Sequence, residues 1–335
     1  MPDIWCDITA GDAATLAGVL GHAPVDRILA LPSQVDALAE ARLPERITVV
    51  TDDDPSVLRL TVDDGPSLAH ARERIGTVDH LIVRFTDPTN IPLELLLAAA
   101  QETRTRIVKQ VSGVDDAVVT AGVLESGPAG LLFAVSDVNG AAAITRDILR
   151  TRRQRLTLIP ATVTAVRHAG MGFRGCVDTT WLFGEDEGML VGSTSSGGFV
   201  VCAEVHYLPY MNLRPFRVNA GAVHSYVWAS DGQTEYVTDL AAGSTVLAVS
   251  TSGDAYPVRV GRVKTELRPL RLIEARAGDV ALSVFVQDDW HVRLFGADGK
   301  PRNCTTIVPG DDLLAYVCEP GRHVGIKVTE AIVER

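Results

Sequence analysis

In the run Val200-Val201-Cys202-Ala203-Glu204-Val205-His206-Tyr207, a carboxylate and an imidazole stand two residues apart. As a strand, its period of two puts Cys202, Glu204 and His206 on one face and apolar residues on the other. A carboxylate beside an imidazole suits an acid–base pair or a divalent metal; the bland alternative is a solvated strand face. The next run, Asn212-Leu213-Arg214-Pro215-Phe216-Arg217-Val218-Asn219-Ala220-Gly221-Ala222-Val223-His224-Ser225-Tyr226, adds two arginines, an amide and a second imidazole. Guanidinium forks fit phosphate or carboxylate, so Arg214 and Arg217 read as anion holders, with Asn219 beside them. Alone, His224 would be a satisfied core histidine; with the preceding strand it becomes a site candidate.

Upstream, Gly192-Ser193-Thr194-Ser195-Ser196-Gly197-Gly198 offers the hydroxyls of Ser193, Ser195 and Ser196 on a flexible backbone. These are the ingredients of an anion-binding nest, or of a plain glycine-rich hairpin. Asp178 lies in a strand-like run and is a further acid for the same cavity. Lys109 ends a β-branched run, where α/β proteins place catalytic groups, and a desolvated lysine there could form a Schiff base with a ketone. An exposed strand-end lysine is the commoner arrangement. Gly170-Met171-Gly172-Phe173-Arg174-Gly175 matches G-x-G-x-x-G, but a strand-like run follows where a dinucleotide site requires a helix. A turn between strands is expected there.

Two kinds of scaffold must position these groups. The first half alternates β-branched runs at 27–31, 47–50, 80–85, 106–109 and 130–135 with helical periodicity at 13–20, 34–41, 67–75, 93–102, 115–125 and 141–149. This predicts a parallel β/α domain over 1–155, with six to eight strands in a compact, incomplete barrel or open sheet. A complete (β/α)₈ barrel usually needs at least about 200 residues. After Arg150-Thr151-Arg152-Arg153-Gln154-Arg155, strand-like stretches separated by Gly, Asp and Pro predict a mainly antiparallel β domain over 156–335, carrying most of the site motifs.

With 335 residues, 46% of them apolar and 22% charged, the chain can bury two ordinary cores. A net charge of −11 argues against nucleic acid or anionic membrane as partners. An anionic ligand would therefore need a local arginine cluster. No run of about 18 apolar residues and no signal-like leader is present, so a cytoplasmic protein is expected. The five cysteines are scattered, without a Cys-x-x-Cys pair, and read as free thiols.

Several of these residues resemble the 3-dehydroquinate synthase II family, which includes archaeal enzymes of aromatic biosynthesis and actinobacterial 3-amino-4-hydroxybenzoate synthases. The carriers are Ile91-Pro92-Leu93-Glu94, Cys176-Val177-Asp178-Thr179, Glu187-Gly188-Met189-Leu190-Val191-Gly192-Ser193, Arg214-Pro215-Phe216-Arg217-Val218-Asn219-Ala220-Gly221, Val260-Gly261-Arg262-Val263-Lys264 and Arg322-His323. Cys202-Ala203 replaces the His-Ser of the archaeal pattern, and His206 is an added imidazole; both favour the aminobenzoate branch.

The resemblance implies a phosphorylated amino keto acid substrate, 2-amino-4,5-dihydroxy-6-oxo-7-(phosphooxy)heptanoate, closed to an aminohydroxybenzoate with loss of phosphate and water. It also implies a divalent metal, with manganese expected. On this reading Glu204, His206, His224 and, more distantly, His323 hold the metal or move protons. Arg214, Arg217, Asn219, Ser193, Ser195 and Ser196 bind substrate, and Lys109 and Asp178 assist proton transfer. The alternatives are an NAD-dependent 3-dehydroquinate synthase acting on 2-amino-3,7-dideoxy-D-threo-hept-6-ulosonate, and a non-catalytic anion sensor. A homo-oligomer is compatible with all three.

Overall fold

The computed structural model describes residues 2–86, 90–124 and 127–318, and the backbone of 322–323 and 326–327; the side chains at 150 and 231 lie outside this description. The chain divides into two compact units, Met1–Leu149 and Arg150–Arg335. Among the described residues no helix is long and apolar enough to cross a membrane.

The first unit runs β1 (Asp3–Asp7), α1 (Ala13–Leu20), β2 (Arg27–Ala30), α2 (Val35–Glu40), β3 (Thr48–Thr51), β4 (Val57–Val62), α3 (Gly65–Glu73), β5 (His80–Phe85), α4 (Ile91–Ala100), β6 (Arg106–Val111), α5 (Val114–Ala121), β7 (Gly130–Ala134) and α6 (Val138–Thr151). Its seven strands are parallel in the order β3-β2-β1-β7-β6-β5-β4. This is the cyclic order of a β/α barrel left open between β3 and β4, where no helix crosses over. One inward layer takes Trp5, Leu29, Val50, Ile82, Val108 and Leu132 from six different strands, with Val57 of β4 packed against it. The outward residues of the same strands pack into separate clusters with the helices, as layered barrel packing requires. Capping starts the helices locally: Asp64 accepts from the Ser67 N–H at 2.8 Å while the Ser67 hydroxyl accepts from the Asp64 N–H. Strands β1 and β4 were not among the expected runs. Each mixes charged with apolar residues, Asp3 and Asp7 in β1 and Arg59 in β4, which weakens the β-branched signal.

The second unit contains β8 (Gln154–Arg155), β9 (Leu158–Thr179), β10 (Glu187–Thr194), β11 (Gly197–Glu204), β12 (Arg214–Ala222), β13 (Tyr226–Trp228), β14 (Thr234–Tyr236), β15 (Thr245–Ser250), β16 (Asp254–Ala277), β17 (Val280–Gln287), β18 (Arg293–Phe295), β19 (Pro301–Asn303) and β20 (Asp312–Val317), then the pair Arg322–His323 and Ile326–Lys327. Thirteen of these strands form one sheet with the path β14-β13-β10-β15-β16-β9-β12-β11-β18-β19, antiparallel at every pairing.

The long strands β9 and β16 pair through most of their length and carry β12 and β11 beside them. Strand β11 is buried throughout because it separates two cores: Phe199, Val201 and Ala203 enter one, Val200 and Cys202 the other. The G-x-G-x-x-G run lies inside β9 and makes no turn. Its Gly172 and Gly175 instead leave room for Leu270 and Val237, which approach to 2.5 and 2.3 Å of where a Cβ would stand.

Candidate active site on the polar sheet face of the second unit

Strand alternation builds the site. Val177, Val218, Ala220 and Val263 pack with the larger core, so the residues between them share the opposite face. Cross-strand register sets Arg262 beside Asp178 and Asp178 beside Arg217, then Lys264 beside Cys176 and Cys176 beside Asn219, then Glu266 beside Arg174.

Asp178 is clamped from both sides. Arg217 donates to its two oxygens at 2.6 and 2.8 Å, and Arg262 donates through Nε at 2.6 Å. Burial pushes the Asp178 carboxyl up, but the two guanidiniums outweigh it and hold the pKa below the ordinary carboxylate range. Glu266 receives Arg174 at 2.7 Å, Arg268 at 2.8 Å and Lys264 at 3.1 Å. Burial raises the Cys176 thiol to about 11 even with Arg174 beside it, so it stays protonated.

At the neighbouring edge of this face, the pairing of β11 with β12 slips between Ala203 and Glu204. The irregularity brings Glu204, 8% exposed, against Arg214 at 3.2 Å and His291 at 3.9 Å. His291 turns its other nitrogen to Asp289 at 3.1 Å. Asp289 in turn accepts from Gln287, and Gln287 accepts from Asn219 at 3.0 Å. The buried Oδ1 of Asn219 has no partner among the described residues. The arrangement thus offers one carboxylate with an oriented imidazole, beside a cationic surface.

Charge on that surface opposes the charge of the chain. Six cations, Arg174, Arg214, Arg217, Arg262, Lys264 and Arg268, meet three carboxylates, Asp178, Glu204 and Glu266. Arg262 is the most open of them, its side chain 67% exposed and, among the described residues, engaged through its Nε alone.

Residues 14–147 match the N-terminal domain of 3-dehydroquinate synthase II, and residues 160–335 match its C-terminal domain. The chain belongs to the 3-dehydroquinate synthase II family. It is 44% identical over 273 residues to a 3-amino-4-hydroxybenzoic acid synthase of Streptomyces griseus, covering 81% of this chain and 69% of that protein. Over the full length of both chains it is 36% identical to a 3-dehydroquinate synthase of Methanosphaerula palustris. A 3-dehydroquinate synthase of Methanocella arvoryzae is 42% identical across 78% of this chain and 70% of its own. No solved structure matches.

Within this family member, the residues expected at the site divide into two groups. Asp178, Arg214, Arg217, Asn219 and Glu204 come together on the polar face. Asp178, however, is held as a doubly paired anion, which suits it to fixing two guanidiniums rather than to taking protons.

His206 does not join Glu204. The strand ends at Glu204, so the expected alternation stops there. The His206 ring packs edge-on against Phe295, and its Nε2 is buried without a partner among the described residues. Burial, then the Arg293 charge, lower its pKa. His224 packs against Phe285 with ring centroids 5.2 Å apart, and the desolvation lowers its pKa. The side chain of His323 lies outside the described residues.

Among the described residues, no three His, Cys, Asp or Glu side chains are arranged to hold a metal ion. Glu204, His206 and His224, the expected ligands whose side chains are described, form no such group.

The serine loop is a tight hairpin between β10 and β11 at the far end of β11 from Glu204, roughly 25 Å along the strand at about 3.3 Å per residue. Ser195 is fully buried, and the carbonyls of Ser195 and Ser196 accept from Cys318 at 3.3 and 2.9 Å. Close packing, rather than an open nest, explains its glycines: a Cβ on Gly192 would stand 2.2 Å from the Gly197 carbonyl. Lys109, in the first unit, donates all three ammonium protons, to Asn90, Asp116 and Thr120 at 3.0, 2.8 and 2.8 Å. That geometry holds it as a fixed cation.

Sequence reading missed His291 and Asp289, in Gln287-Asp288-Asp289-Trp290-His291. They follow β17 in a turn with no strand periodicity, and only the fold brings them to Glu204, 85 or more positions earlier. Arg262 and Lys264 were visible as part of a family motif, but nothing in their spacing pointed to Asp178.

Proposed function

We propose that the polar face of the second unit converts a phosphorylated seven-carbon amino keto acid into 3-amino-4-hydroxybenzoate, with loss of phosphate and water and no net oxidation. The carrying observation is the cation surplus on a face of an otherwise acidic chain: a substrate bearing both carboxylate and phosphate matches it. The likeness to the Streptomyces griseus enzyme supports the choice of reaction.

In this reading Arg262, Lys264 and Arg268 hold the anionic ends, while Arg174 and Arg217 stay tied to Glu266 and Asp178 and keep the surface rigid. Glu204 accepts the proton from the hydroxyl-bearing carbon beside the ketone, and His291, oriented by Asp289, relays it. Arg214 stabilises the enediolate that forms, and that enediolate expels phosphate from the adjoining carbon. No step of the proposal runs through a metal.

The test is incubation of the purified protein with the acyclic substrate, with and without NAD. Phosphate release and aminohydroxybenzoate formation are expected without NAD, and Glu204→Gln should lower kcat by about 10²-fold or more while leaving substrate binding. Native-like turnover by that variant would remove Glu204 from the reaction. The full-length likeness to the Methanosphaerula palustris protein favours the second reading, NAD-dependent formation of 3-dehydroquinate. That reading requires NADH absorbance to rise with product. The glycine run inside β9 supplies no strand-to-helix pyrophosphate turn for it.

A further inference from the structure

At the carboxyl ends of β5, β6 and β7, the first unit encloses a cavity of about 850 Å³ whose wall includes Arg84, Asn90, Lys109, Gln110, Ser112 and Asp116. Barrel geometry organises its polar groups. Trp5, Val57, Ile82 and Val108 belong to the inward apolar layer. Two residues further along the same strands stand Asp7, Arg59, Arg84 and Gln110, on the same face and one layer nearer the carboxyl ends.

In that upper layer Arg59 binds Asp7 at 2.7 Å and donates to Gln110 at 2.8 Å. Arg84 is exposed and has no hydrogen-bond or ion-pair partner among the described residues. Lys109, 6% exposed, is fixed by its three acceptors, one of which is the Asp116 carboxylate at 2.8 Å. Phe133, Val119 and Ile144 supply apolar wall. An apolar-walled cleft with a few convergent polar groups is the usual form of a small-molecule site, and barrel proteins place such sites at the carboxyl ends of their strands.

We propose that this cavity is a second ligand site, taking a small molecule with a phosphate or carboxylate on a short hydroxylated chain. The anionic group sits on the Arg84 guanidinium, whose fork has the geometry to bind it bidentately. Hydroxyl or carbonyl groups of the chain lie along Gln110 and Ser112. The site does not depend on the reaction proposed for the second unit, because every group it uses belongs to the first.

The experiment uses the full-length protein, calorimetry and amide hydrogen exchange, with glycerol 3-phosphate, glycerate and uncharged glycerol as probes. Both anions should slow exchange at 82–86 and 108–113, and glycerol should not. Arg84→Met should weaken anion binding at this site by about tenfold or more, as loss of a charge-assisted fork does. Arg84→Lys, which keeps the charge without the fork, should fall between. Arg262→Met should leave exchange at these two stretches as in the native protein. Because Arg84 is exposed and has no partner among the described residues, its variants should keep the native urea midpoint. Native affinity in Arg84→Met, equal binding of glycerol, or protection confined to the second unit would overturn the proposal.

Discussion

Replacing His291 by Asn separates two accounts of Glu204. If His291 relays protons for this carboxylate, kcat falls by about 10²-fold with KM nearly unchanged. His206→Asn, which alters a ring packed on Phe295, should change kcat by no more than about twofold. Steady-state kinetics on the two variants decides between the imidazole that the fold selects and the one that spacing selects.

The clamped carboxylate carries a prediction of a different kind. The folded pKa of Asp178 is depressed, and an unfolded Asp titrates near about 3.9. Its stabilising contribution is therefore complete above that value and lost as pH falls through the lower folded pKa. His206 acts in the same direction at higher pH: its folded pKa is lowered, so its contribution is complete above about 6.5 and declines on acidification. Urea midpoints followed from about pH 7 to about pH 3 should fall in both ranges. Asp178→Asn should flatten the more acidic fall and His206→Asn the other.

Among the elements, β9, β12, β16 and β11 do the positioning, and their registers are more informative than their lengths. The run Arg214 to Gly221 was legible as strand formers with anion-binding side chains because alternation is local. Its direction was not, because which face is buried depends on the partner strands. The slip between Ala203 and Glu204 makes the point: a period of two cannot announce the residue at which it fails. Gly221 tests how tightly these strands are held. It adopts φ 74°, and a Cβ there would meet the Phe285 carbonyl of β17 at 1.9 Å. Gly221→Ala should cost about 2 kcal/mol or more, measured by urea denaturation, and displace Asn219 two residues away.

At the scale of the molecule, a chain of net charge −11 repels anions in general while cations outnumber carboxylates in the ion pairs of one face of its second unit. Screening should therefore reach substrate capture before chemistry. Raising salt from about 0.05 M to about 0.5 M shortens the Debye length several-fold and should raise KM for the phosphorylated substrate several-fold, with kcat little changed. An unchanged KM would mean that the exposed cations Arg262 and Lys264 do not meet the substrate.

The sequence by itself determined the β/α first half and the antiparallel second half, because periodicity and turn residues act over a few positions. It also marked Glu204, Arg214, Arg217 and Asp178 as polar groups in neighbouring strand-like runs, and the structure brings these four onto one sheet face. Only the tertiary structure decided that His291 replaces His206 beside Glu204, that the serine hairpin lies at the opposite end of β11, and that Asp178 is spent on two arginines. Each of those outcomes depends on strand registers between segments tens of residues apart, and a pairing across such distances is fixed by packing rather than by local spacing.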